Sequence, residues 1–179
     1  MEVHKSRNRN REFLLISETE ITALKKLTHV YPYKNILAQI NANCNYAKKL
    51  GSEAILQTDE SASLFVIYNV LMELCLAYKL AEDKEAGKLA KNIVNKISQN
   101  YPRYPNLFSE EIHRAFVLTG IILFRDIAPE LFTVEEHLLL VEFIEKKPGK
   151  LGKNLTVNFG EEKTKNLIVG IIELSLFPV

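Results

Sequence analysis

The residues best placed to do chemistry in this 179-residue chain are Glu110 and His113. On a helix they fall one turn apart on one face, and a Glu-x-x-His pair is half of the ligand set from which four-helix di-metal carboxylate sites are built. A complete site takes a second such pair and two further helical glutamates. His137 has Val134 three residues before it, while His4 and His29 fall in a terminal segment and at a helix end. The second pair is missing, and the sequence points to no metal or other cofactor. Ser109, four residues from His113, offers a nucleophile within reach of a base, but Asp126 lies about three and a half turns further along, too far to orient that imidazole from the same helix. Ser109 reads instead as a helix cap. Gly149 and Gly152 lack the preceding strand and the following Lys-Ser or Lys-Thr pair that a phosphate-cradling loop needs.

Charge distribution is the stronger lead. Net charge is +1, which argues against a protein whose whole surface meets nucleic acid or anionic lipid. Residues 1–11, however, hold Lys5, Arg7, Arg9 and Arg11 against Glu2, a local +3 that leaves −2 for the other 168 residues. Arginine alternating with asparagine suits phosphates and base edges when an extended segment orders on a groove. Lys147 and Lys150, with Lys146 and Lys153, form a second basic cluster, and Lys84, Lys88 and Lys91 form a third on a helix. The residues expected to contact nucleic acid are therefore Lys5, Arg7, Arg9, Arg11, Lys147 and Lys150. The competing reading of each run is a solvated face.

With 47% apolar and 25% charged residues, the chain has the composition of an ordinary soluble globular protein and is long enough to bury a large core. The expected organisation is a flexible basic tail over 1–11 and a single helical domain over 12–179. Cys44 and Cys75 sit inside apolar patterns without close spacing, which suits a reducing compartment better than a disulfide framework. No apolar run reaches the roughly 18 to 20 residues of a membrane span, and the basic N-terminus lacks a following apolar region of signal-peptide length. A cytoplasmic protein is expected.

Helix signals recur along the chain. Ser17 and Glu20 make a capping box, and Ile21, Leu24 and Leu27 make a stripe that should end near Tyr31, before Pro32. Ile36, Ile40, Cys44 and Ala47 repeat at helical spacing up to Gly51, a terminator, while Asn35, Gln39, Asn41, Asn43 and Asn45 make an amide-rich face suited to solvent, a partner or nucleic acid. Residues 61–80 are apolar almost all round and predict a central helix, with Asp59 as cap. An amphipathic helix follows from Asp83 to Gln99, another from Ser109 to Pro129, and a third from the Thr133–Glu136 capping box to Lys147. The aromatic connectors Tyr31-Pro32-Tyr33 and Tyr101-Pro102-Arg103-Tyr104-Pro105 suit packing over helix ends, with base stacking as the alternative. Gly120 and Gly170 suit close helix approach. For 155–179 the choice lies between a helix that buries Leu167, Ile168, Ile171 and Ile172 and a short β-hairpin.

These features predict an all-α fold, a single compact bundle of about six or seven helices with a short C-terminal β-hairpin as the variant. The polar residues read as caps and surfaces and not as a converging active site. The expected function is a non-catalytic subunit or adaptor docking into a larger assembly, with a protein partner and RNA or DNA contacted through the basic tail. The alternatives are a regulatory or immunity-type protein that binds one protein partner, and a small metal-dependent enzyme centred on Glu110 and His113.

Overall fold

The computed structural model describes residues 16–57, 63–108 and 111–146. They form six α-helices, α1 (Glu18–Leu27), α2 (Tyr33–Leu56), α3 (Ser63–Ala81), α4 (Lys84–Asn100), α5 (Glu111–Ile127) and α6 (Val134–Lys146), with 3-10 turns at Tyr101–Arg103, Pro105–Phe108 and Pro129–Leu131. No strand occurs among the described residues, and the architecture is the expected all-α bundle. The basic tail, the Asp59 cap, Gly170 and the alternatives for 155–179 lie outside the described residues.

Helix starts follow the capping chemistry of the sequence. Ser17 Oγ accepts from the Glu20 amide at 3.2 Å, and the Ser17 amide donates to Glu20 Oε2 at 2.7 Å. Thr133 and Glu136 repeat the arrangement at 3.3 and 2.7 Å. Asp83 Oδ1 accepts from the amides of Glu85 and Ala86 at 3.1 and 3.0 Å. Each cap satisfies donors that a helix start leaves unpaired, a contribution of about 1 kcal/mol.

Helix ends depart from expectation twice. The first helix stops at Leu27 and not near Tyr31, because Thr28 closes it with its hydroxyl donating to the Lys25 carbonyl at 2.7 Å, and a turn carries the chain to Tyr33. Gly51 adopts positive φ (75°, ψ 164°) and breaks the helical path as expected, but the chain re-enters helix immediately, so α2 runs on past a kink to Leu56. Ser52, Ile55 and Leu56 are buried beyond the kink, and that burial supports the extra turn.

Helix α3 is enclosed. Ile67, Leu71, Leu74, Cys75 and Ala77 have no solvent exposure, and α3 packs most extensively on α5, then on α2 and α4. Gly120 permits the α5 contact, since a Cβ there would stand 3.2 Å from the Tyr68 Cα. At Gly87 on α4, the Tyr78 ring occupies the space that a Cβ would need, at 2.7 Å. Tyr101, Phe108 and Phe143 meet with ring centroids 6.0 to 6.2 Å apart and join the 3-10 turns to α6. The second aromatic connector thus packs over helix ends as expected, whereas Tyr31 in the first stands 79% exposed.

Replacing Gly120 with valine places branched bulk against the α3 backbone, which cannot yield as a side-chain end would. We predict that Gly120→Val costs about 1–3 kcal/mol, read as a lower urea midpoint with an unchanged denaturant slope.

Candidate nucleic-acid interface

The basic residues singled out by the sequence, Lys5, Arg7, Arg9, Arg11, Lys147 and Lys150, lie outside the described residues, as does Glu110. His113 is a buried residue of α5, 7% exposed, with its Nε2 shut off from solvent. Among the described residues no three His, Cys, Asp or Glu side chains gather as a metal ion would require. Cys44 and Cys75 are buried and unbridged. Burial pushes both thiols up to about 12, which leaves almost no thiolate at neutral pH to attack or to ligate.

The Lys84, Lys88, Lys91 stripe is not one surface. Lys91 pairs with Glu136 at 2.9 Å, where Asn95 also donates at 3.0 Å, and the three residues fix α6 on α4. Lys88 pairs with Glu85 on its own helix at 2.9 Å. Other cations serve the fold in the same way. Lys79, with a side chain only 10% exposed, bridges Glu18 and Glu130 at 2.9 Å each. Burial opposes its charge, but the hydrogen bonds it donates to the two carboxylates outweigh that and raise its pKa. Glu53 holds both Lys96 and Arg103, and Arg125 Nε donates to His137 Nδ1 at 2.9 Å.

One surface escapes this pattern. From Ile21 to Ser52 the chain contains five lysines and His29 but no aspartate or glutamate in thirty-two residues. This stretch forms most of α1, the α1–α2 elbow and α2 up to its kink. Two of the lysines are spent on the frame, Lys25 on Glu82 at 3.0 Å and Lys48 on Asp83 at 2.6 Å. Lys26, Lys34 and Lys49 are exposed and form no ion pair with a described residue.

Helical geometry sorts the rest of α2. Ile40, Cys44 and Ala47 lie on the buried stripe, while Lys34, Asn35, Ala38, Gln39, Ala42, Asn45, Tyr46 and Lys49 are exposed. Lys34 and Lys49 stand about 22 Å apart along the axis. Alanines at 38 and 42 leave the middle of the face low, with longer amide, tyrosine and lysine side chains around it.

The amide row divides between fold and surface. Asn43 turns inward and donates to Glu73 Oε1 of α3 at 2.7 Å, and Gln39 donates to Asn43 Oδ1 at 2.9 Å. Asn35 and Asn45 face solvent. Burial raises the Glu73 pKa, against the lowering effect of the Asn43 hydrogen bond.

Sequence inspection identified the amides and the Tyr31-Pro32-Tyr33 connector of this region but missed Tyr46 and the lack of carboxylates, although the latter signal is present in the composition alone. The chain matches no protein-family model, no curated protein and no solved structure, so what it does must be read from its own surface.

Glu73 generates a pH prediction. A carboxyl whose pKa is raised on folding contributes most favourably below its ordinary value of 4.5, and that contribution falls as pH rises through the window above it. Glutamine keeps the oxygen that accepts from Asn43 without the charge. Glu73→Gln is predicted to raise the urea midpoint at pH 7, with an advantage that vanishes below about pH 4.

Proposed function

We propose that this chain is a non-catalytic helical subunit or adaptor that docks into a larger assembly and contacts RNA or DNA. The observation that carries the reading is the carboxylate-free exposed face of α2 and its elbow, in a body whose other cations are largely committed to ion pairs. Phosphates favour a surface where no carboxylate opposes them. In this reading Lys5, Arg7, Arg9 and Arg11 of the tail, with Lys147 and Lys150, would supply further phosphate contacts. The six residues from Arg11 to Ser17 span up to about 20 Å when extended, against about 15 Å for the ten-residue α1. The tail cations are thus able to reach the elbow at the far end of α1.

A protein neighbour in the assembly would suit α6. Val134 and Leu138, one turn apart, are 72% and 66% exposed, a short apolar ridge of the kind that enters a groove on another protein. The same ridge favours a second reading, a regulatory or immunity-type protein that binds one protein partner without nucleic acid.

The two readings separate in one titration. Fluorescence anisotropy with a labelled oligonucleotide over a salt series should show binding by the full chain that weakens steeply with salt. The version beginning at Glu12 should lose about 3 from the slope of log affinity against log salt, the contribution of four tail cations at roughly 0.7 to 0.9 each. No binding by either form at low salt would eliminate the nucleic-acid reading and leave the protein regulator, for which Leu138→Asp should abolish partner binding.

A further inference from the structure

The chain has seven tyrosines, and their exposure divides by location. Tyr68 and Tyr104 are buried, and Tyr78 and Tyr101 are half-buried against the core. Tyr31, Tyr33 and Tyr46 are exposed, and all three lie in the carboxylate-free stretch. Tyr31 and Tyr46 are the most open, at 79% and 65%. Hydrogen bonds of the elbow fix the backbone around Tyr31, with the Val30 amide on the Leu27 carbonyl and the Lys34 amide on the Val30 carbonyl, both at 2.9 Å.

We infer that the elbow and outer face of α2 bind single-stranded nucleic acid, with bases stacked on Tyr31 and Tyr46 and phosphates beside Lys26, Lys34 and Lys49. The inference rests on the nucleic-acid reading and narrows it to one class of ligand. Two observations select a single strand over a duplex. Ring faces open to solvent gain most from base faces, which a duplex keeps stacked on one another. Two cations about 22 Å apart along α2, with Lys26 on α1 across the elbow, match the sparse charge of one strand better than a duplex, which presents a charge every 1.7 Å or so. Asn35 and Asn45 flank the low strip at Ala38 and Ala42, where their amides meet base edges or sugar hydroxyls. An acidic peptide would satisfy the lysines but leave the tyrosine faces unmatched.

The test uses the full chain and fluorescein-labelled 12-nucleotide single strands, in DNA and RNA forms, beside a 12-base-pair duplex of the same sequence. With no tryptophan in the chain, quenching of tyrosine emission gives a second readout of stacking. Single strands should bind at least tenfold more tightly than the duplex. Tyr31→Ala and Tyr46→Ala should each weaken binding by about tenfold and reduce the quenching, while Tyr31→Phe and Tyr46→Phe retain both. Both positions are exposed, so thermal unfolding of all four variants by circular dichroism should match the parent within a degree or two. Wild-type affinity in both alanine variants, or equal affinity for duplex, would overturn the inference while salt-sensitive binding kept the broader nucleic-acid reading. Displacement of the strand by polyglutamate as readily as by unlabelled strand would also overturn it, in favour of an acidic peptide. Absence of any nucleic-acid binding would defeat both.

Discussion

The enclosure of α3 is the constraint on which the rest depends. A helix apolar around its circumference must be covered on several sides, and here α5, α2 and α4 do this with Gly120 admitting α5 against the Tyr68 backbone. Ile67, Leu71, Leu74 and Cys75 then bury fully, each large side chain contributing about 1.5–3 kcal/mol. Polar groups on such a helix need partners of their own. Glu73 meets Asn43, and Lys79 takes two carboxylates, one from α1 and one from the Pro129–Leu131 turn. Removing either carboxylate would leave a mostly buried ammonium half-satisfied, which costs more than the pair contributes. Position and electrostatics are therefore coupled at α3, and the outer helices inherit their placement from it.

That coupling consumes much of the charge. Glu53 joins Lys96 and Arg103, Glu136 caps α6 while binding Lys91 and Asn95, and Asp83 caps α4 while binding Lys48. Pairs at partly exposed sites contribute little energy individually, roughly 0 to 1 kcal/mol. Their consequence lies in geometry. They draw carboxylates to the seams between helices and leave the outer face of α2 before its kink, where the sequence has none, as a surface of amides, tyrosines and lysines.

Local chemistry was legible in the sequence. The capping pairs at Ser17 and Thr133, the cap at Asp83, the all-round apolarity of α3 and the role of Gly120 all depend on residues close together in the chain or on composition alone. What escaped depends on distant partners. Gly51 breaks the helix as its type suggests, but nothing local says that Ile55 and Leu56 will find a core in a further helical turn beyond it. Glu82 adopts positive φ (57°) in the α3–α4 connection, a place where sequence rules would look for glycine. There the Asp83 amide donates to the Ala77 carbonyl, and Lys25 of α1 pairs with Glu82. The lysine stripe of α4 dissolved for the same reason, since the commitment of Lys91 to Glu136 is set by a residue forty-five positions away. The amide row was half legible. Its periodicity placed it on α2, but only the packing on α3 tells Asn43 from Asn45.

The tyrosines show how one side chain serves both ends of this design. Tyr68 lies against α5 with its ring edge-on to Phe116 at 5.9 Å, and burial raises its hydroxyl pKa, so its aromatic area works for the fold. Tyr46 is turned away from the buried stripe of Ile40, Cys44 and Ala47, and its area contributes almost nothing to the core. Exposed aromatic carbon is hydrated at a free-energy cost, and a flat partner recovers that cost on binding. Because the backbone beneath the ring is already held by a helix anchored through Asn43 and Lys48, only the side chain's own rotamer freedom remains to be lost when a ligand arrives. The frame that holds α2 against α3 therefore also fixes the backbone of its outer face, and the recognition proposed there would depend on the packing beneath it without sharing any of its residues.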